Sequence, residues 1–258
     1  MGWDLLLYSW EELKASKRLL FFPITSTLAA AALLFAFFPS SPFGQHRWSA
    51  GQSLRLLLFY CALSFVMNFF NCALAACAQI RFSGGQPTPA DGLRRALQRW
   101  DAILFWSLLT ATVGVVLNAI EQRLSILGEL LIRVVGFAWG MATFLVVPIL
   151  VIEEDTAPRA LRKSAQLLRS TWGEQLSVNV GVGAILLLWL LPGIAVAVIG
   201  YNCVPALLVI GVTYLVAILT GQQALETIFQ VALYRYATGN TPGPFPADML
   251  RNALRGKE

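Results

Sequence analysis

The sequence predicts an all-α, polytopic membrane protein: six transmembrane helices as three hairpin repeats, each associated with a cytoplasmic amphipathic helix. Three observations lead there. The 258 residues are 57% hydrophobic and 13% charged, with mean hydropathy +0.66, whereas a soluble globule carries about 25% charged residues. Six apolar runs are each long enough for a hydrocarbon core of about 30 Å. A short basic segment recurs between them.

The runs are Leu19 to Phe38, Leu54 to Ile80, Ala102 to Ala119, Leu130 to Ile152, Leu176 to Gly200 and Val204 to Tyr234. Helix is the natural form for them, since each helix satisfies its own backbone groups in lipid. None shows the period-2 alternation of a membrane barrel. The first run is expected to be retained: Asp4, Glu11 and Glu12 interrupt its basic flank, and no small-x-small cleavage pattern follows it.

Fifteen of the 19 basic residues fall before run one, between runs two and three, between four and five, and after run six. By the positive-inside rule both termini are cytoplasmic. The formal +5 charge is therefore a topology signal, and no nucleic-acid motif accompanies it.

The basic segments resemble one another. Pro89-Ala90-Asp91-Gly92-Leu93-Arg94-Arg95-Ala96-Leu97 matches Pro246-Ala247-Asp248-Met249-Leu250-Arg251-Asn252-Ala253-Leu254 at seven of nine positions, and Pro158-Arg159-Ala160-Leu161-Arg162-Lys163-Ser164-Ala165 is a weaker copy. The chain thus reads as one membrane domain, 1–258, with repeats at about 1–87, 88–155 and 156–240 and a terminal amphipathic helix at about 246–256. Thr88 suits the first N-cap, with Pro89 in the opening turn. Leu93, Leu97, Trp100 and Leu104 make its apolar stripe. Thr156 caps the second copy behind Glu153-Glu154-Asp155, and Leu161, Ala165, Leu168 and Trp172 form that stripe. Trp3, Leu6, Trp10 and Leu13 repeat the pattern ahead of run one. Arg94, Arg95, Arg99, Arg162, Lys163, Arg169, Arg251 and Arg255 then face lipid headgroups, at about 1 kcal/mol per basic residue toward anionic lipid. Such helices most often only anchor and orient the hairpins; lipid sensing or partner binding is the functional alternative.

Polar residues inside apolar runs are costly and so are the first functional candidates. Gln222, Glu226 and Gln230 are spaced four apart in run six, and Asn68 and Asn71 mark run two. Glu226 lies nine residues before Arg235, about 13.5 Å along a helix, which is near the midplane. Aligning Arg81 with Arg235 places Asn68 on Gln222 and Cys72 on Glu226. The plainer use of these groups is interhelical hydrogen bonding, and Gly136-x-x-x-Gly140 reads as a packing motif in the same sense. The alternative is a polar path or ion site with Glu226 as its charge. Arg133 is expected to snorkel or to pair with Glu129 or Glu121.

Little in the chain suggests catalysis or a cofactor. His46 is the single histidine, no cysteine pair has zinc or redox spacing, and no phosphate-cradling glycine loop occurs. No metal, cofactor or enzyme activity is expected.

Several stretches together carry a resemblance: Asn71-Cys72-Ala73-Leu74, Gln79-Ile80-Arg81 with Gly84-Gly85, Leu93 to Leu97, Val147-Pro148 to Glu153, Leu161-Arg162-Lys163-Ser164-Ala165 with Thr171-Trp172-Gly173-Glu174-Gln175, and Ile228 to Tyr236. In these the chain resembles a widespread prokaryotic six-helix integral membrane family catalogued only as a domain of unknown function. The resemblance implies a multi-pass prokaryotic membrane protein and brings no activity or catalytic residues. The expectation is a non-enzymatic, oligomeric membrane scaffold or assembly protein whose partners are anionic membrane lipids and a second copy or another membrane protein. The alternative is a channel or transporter using the polar stripes of runs two and six.

Overall fold

The computed structural model describes residues 17–37, 50–121, 126–171, 179–202, 205–241 and 243. A 3₁₀ turn (Lys17–Leu20) leads into α1 (Phe21–Phe37), followed by α2 (Ala50–Phe82), α3 (Pro89–Gln98), α4 (Trp100–Glu121) and α5 (Ile126–Thr143). Then come α6 (Val146–Ile152), α7 (Ala157–Thr171), α8 (Asn179–Asn202) and α9 (Pro205–Ala237). Helix is the only regular structure among the described residues. Three stretches, Leu54–Phe82, Trp100–Glu121 and Leu130–Ile152, are long and apolar enough to cross a bilayer. Leu54, Leu131, Val134 and Phe105 lie exposed on the helices' outer faces, which is the surface of a protein solvated by lipid or by another apolar partner.

Packing centres on the second half of α2. Cys72, Ala73, Leu74, Ala75, Ala76, Cys77 and Ala78 are all at most 1% exposed. A helix buried on every side needs neighbours on every side, and α1, α3, α4, α6 and α9 all pack against α2. Alanine and cysteine at consecutive positions let those backbones come close.

The fourth apolar run is not one helix. Pro148 has no N–H to give to residue 144, and its ring opposes that carbonyl, so the helix breaks at Phe144 and Leu145 and restarts as α6. The Leu145 N–H, buried at the break, donates to Ser164 Oγ of α7 at 3.1 Å. Gly136 and Gly140 of α5 have nothing within 4 Å of a would-be Cβ. The Gly-x-x-x-Gly motif therefore packs no helix within the described chain.

Helix α3 opens on a capping box. Thr88 Oγ1 accepts the Asp91 N–H at 3.3 Å, and Asp91 Oδ2 takes the Thr88 N–H at 2.8 Å and its hydroxyl at 2.7 Å. These bonds stabilise the ionised carboxylate and hold the Asp91 carboxyl below its ordinary value. The face that docks on the bundle is centred on Gly92 and Ala96, with Leu93 of the leucine stripe packed beside them. A Cβ at Gly92 would lie 2.5 Å from the Ala73 carbonyl oxygen, 2.7 Å from Cys77 Sγ and 2.7 Å from Phe22 Cζ. Leu97 and Trp100 stay 59% and 55% exposed. Helix α7 docks at the equivalent positions, with Ala160 and Ser164 fully buried beside Ala157 and Leu168.

Helices α2 and α9 end alike. Gly84 and Gly239 have φ of +85° and +76°. Each sits in a Schellman turn: Gly85 and Asn240 N–H reach the Ile80 and Arg235 carbonyls at 3.0 and 2.9 Å, and the glycines' own N–H groups reach Arg81 and Tyr236. The buried Arg235 joins the two ends, donating to Ser83 Oγ at 3.0 Å and to the Thr241 carbonyl at 2.7 Å.

Candidate functional site

Counting back 16 and 13 residues from the two capping glycines pairs Asn68 with Gln223 and Asn71 with Glu226. The arginine alignment used on the sequence is thus one residue out. These four side chains border a single cleft of about 380 Å³. Thr227 and Gln230 of α9, Trp106 and Thr110 of α4, Gly140 and Thr143 of α5, and Phe144 and Val147 at the helix break complete it.

The amides on the α2 side are fixed by hydrogen bonds. Asn68 Nδ2 donates to Ser64 Oγ at 3.3 Å and to Ser107 Oγ at 3.2 Å. Ser64 Oγ in turn donates to the Ser107 carbonyl and lies 3.1 Å from Thr110 Oγ1. Gln223 Nε2 donates to Asn71 Oδ1 at 2.8 Å, tying α9 to α2. Glu226 differs from its neighbours. Its side chain is exposed to the cleft, and its partner among the described residues is Gln230 Nε2 at 3.4 Å. Helix α5 ends and α6 begins at the cleft wall, so helix termini of opposite dipole sign border the site beside Glu226. Trp106 stacked on Trp139 and Phe144 edge-on to Phe229 supply apolar flanks.

Of the intramembrane candidates, Asn68, Asn71, Glu226 and Gln230 come together, while Gln222 does not border the cleft and Gln223 stands in its place. A spacing of four drifts about 40° per step around a helix, and the cleft is centred on the Gln223 and Gln230 side of α9, which leaves Gln222 at the edge of that face. The threonines were missed because threonine is common in apolar helices, where its hydroxyl can bond the preceding turn, as Thr227 does to the Gln223 carbonyl.

A second polar cluster lies where α6, α7, α4 and α9 converge. Glu153 accepts both Lys163 Nζ and the Tyr234 hydroxyl. Arg99 Nη2 donates to the Asp155 carbonyl at 2.7 Å, and Asp155 lies 3.8 Å from Arg159. Arg94, Arg95, Arg162 and Arg169 are exposed. Arg99 and Lys163 are half-buried and hold loop and carboxylate groups of this cluster. Arg251 and Arg255 lie outside the described residues, as do Trp3, Trp10 and Trp172. Arg133 Nε lies 3.9 Å from Glu121. Among the described residues no three histidine, cysteine or acidic side chains group as metal ligands.

The family described as a family of unknown function (DUF6159) matches residues 50–244. No curated protein and no solved structure matches the chain.

Proposed function

The chain belongs to that family of unknown function, and we propose from its cleft that it is a multi-pass membrane protein that binds a cation or small cationic solute within the bilayer, as a channel or transporter does. The observation that carries this is the Glu226 carboxylate, facing a cleft lined by five helices with an amide as its partner. The broken α5–α6 helix supports it. Interrupted helices mark binding sites in many transporters, because their ends present backbone dipoles to ions. In this reading all six apolar runs cross the membrane of a prokaryotic cell with both termini cytoplasmic, as the basic-residue bias supports. No reaction is assigned to it.

The test is cation-dependent uptake or binding by the full chain in proteoliposomes. Glu226→Gln is expected to reduce it at least tenfold, and absence of cation dependence in the wild type overturns the reading.

A scaffold function is favoured by one specific arrangement. Helices α3 and α7 dock through small residues, which leaves Leu97, Trp100, Arg94 and Arg95 outward for lipid or a partner. Liposome flotation and native oligomer size would both fall on Arg94→Gln with Arg95→Gln if that surface organises the membrane, and neither would change if the helices only anchor.

A further inference from the structure

The polar cleft does not end at Thr110. A second and larger cleft, about 790 Å³, lies between α2 and α4; Thr110 borders both, and Ser64 borders the larger one. One stripe on each helix runs through both spaces. On α2 it is Tyr60, Ser64, Met67 and Asn71; on α4 it is Trp106, Thr110, Gly114 and Asn118. Residues three and four apart share a helix face, so the two clefts are in line. The Ser64–Thr110 contact at 3.1 Å marks their junction. The chemistry changes there. Beyond the junction the walls are largely aliphatic, with Leu56, Leu57, Leu63 and Val115.

From Leu56 to Met67 the groove runs about 16 Å at 1.5 Å per residue. The hydrocarbon depth of one leaflet is about half of 30 Å. An apolar trough of one leaflet's length, joined end to end with a polar pocket holding one carboxylate, has the shape and charge of an amphiphile's complement. We propose that the ligand is an amphiphile with a cationic head and a single long hydrocarbon chain, the head at Glu226 and the chain along the α2–α4 groove. This rests on the cleft reading above and names its substrate class. The head points toward the end of the bundle that carries α3 and α7, and the chain points away from it. An amphiphile drawn inward from the leaflet beside those helices keeps that orientation, so it need not turn over to enter. Both volumes lie in the range of small-ligand sites, about 300–1,000 Å³.

The experiment uses the full chain in lipid nanodiscs with two probes: an alkyltrimethylammonium carrying a photoactivatable group in its chain, and tetramethylammonium as the head alone. Crosslinks, mapped by mass spectrometry, are expected on residues 56–67 and 110–119, to be competed by tetramethylammonium, and to fall at least tenfold in Glu226→Gln. Gly114→Phe and, independently, Gly114→Leu fill the groove where a side chain meets open space. They should reduce crosslinking by the chain probe while leaving tetramethylammonium binding in place. Crosslinks scattered over all lipid-facing helices and indifferent to these variants overturn the proposal. If tetramethylammonium binds through Glu226 but the chain probe does not label the groove, the amphiphile is wrong and the cation cleft stands. If neither probe depends on Glu226, both are wrong.

Discussion

Three glycines of similar appearance in the sequence have opposite duties in the fold. A Cβ on Gly92 would collide with a backbone carbonyl, which cannot rotate away as a side chain end could. Gly92→Leu is therefore expected to destabilise the protein by about 1–3 kcal/mol through overpacking, seen as a lowered unfolding midpoint in detergent. Gly136→Ala and Gly140→Ala meet nothing among the described residues and should leave that midpoint unchanged or slightly raised. Ser164 makes a comparable case. Ser164→Ala leaves the buried Leu145 N–H without its acceptor, at a cost of about 1–3 kcal/mol, whereas Ser164→Thr keeps the oxygen. Neither assignment was readable from residue type. Gly136-x-x-x-Gly140 has the spacing of a packing motif and packs no helix among the described residues, while Gly92 looked like one more residue of a basic helix.

The cap of α3 was legible in the sequence, because Thr-Pro-x-Asp supplies each part of a capping box locally. Its docking face was not. Hydrophobic periodicity weights leucine over glycine, so it found the outward Leu97 and Trp100 and passed over the small residues that touch protein. The cap makes helix α3 sensitive to acid. Asp91 titrates below its ordinary value of about 3.9, so its stabilising contribution is complete above that value and is lost as pH falls through the lower, folded one. Hydrogen exchange at the Leu93 to Ala96 amides, corrected for intrinsic rate, should accelerate over that interval, and Asp91→Asn should remove the step. The break between α5 and α6 was legible in principle, since Pro148 lies within the apolar run. Its consequence, a helix end at the cleft, depended on where α9 packs.

At the scale of the molecule, the apolar composition and the run lengths pointed to the all-helical class that the described residues adopt, because those are properties of segments. Contacts between distant segments were less accessible. The Asn71–Gln223 bond spans 152 residues, and the one-residue difference between arginine and glycine alignments decided whether Gln222 or Gln223 faces the cleft. Both polar clusters involve α9. Tyr234 meets Glu153 about 12 Å beyond Glu226 at 1.5 Å per residue. Tyr234→Phe removes that tie and is expected to raise hydrogen exchange in the last turns of α9 while sparing α8.

Cys77 turns the docking of α3 into something that can be read chemically. Its thiol donates to the Thr88 carbonyl at 3.3 Å and is sealed beneath Gly92, whereas Cys61 on the same helix is only half-buried. The protein thus carries a native reporter and its internal reference on one helix. As long as α3 is seated, alkylating reagents reach Cys61 first. When it lifts, whether by mutation, acid or a bound partner, Cys77 labelling counts the lifted molecules.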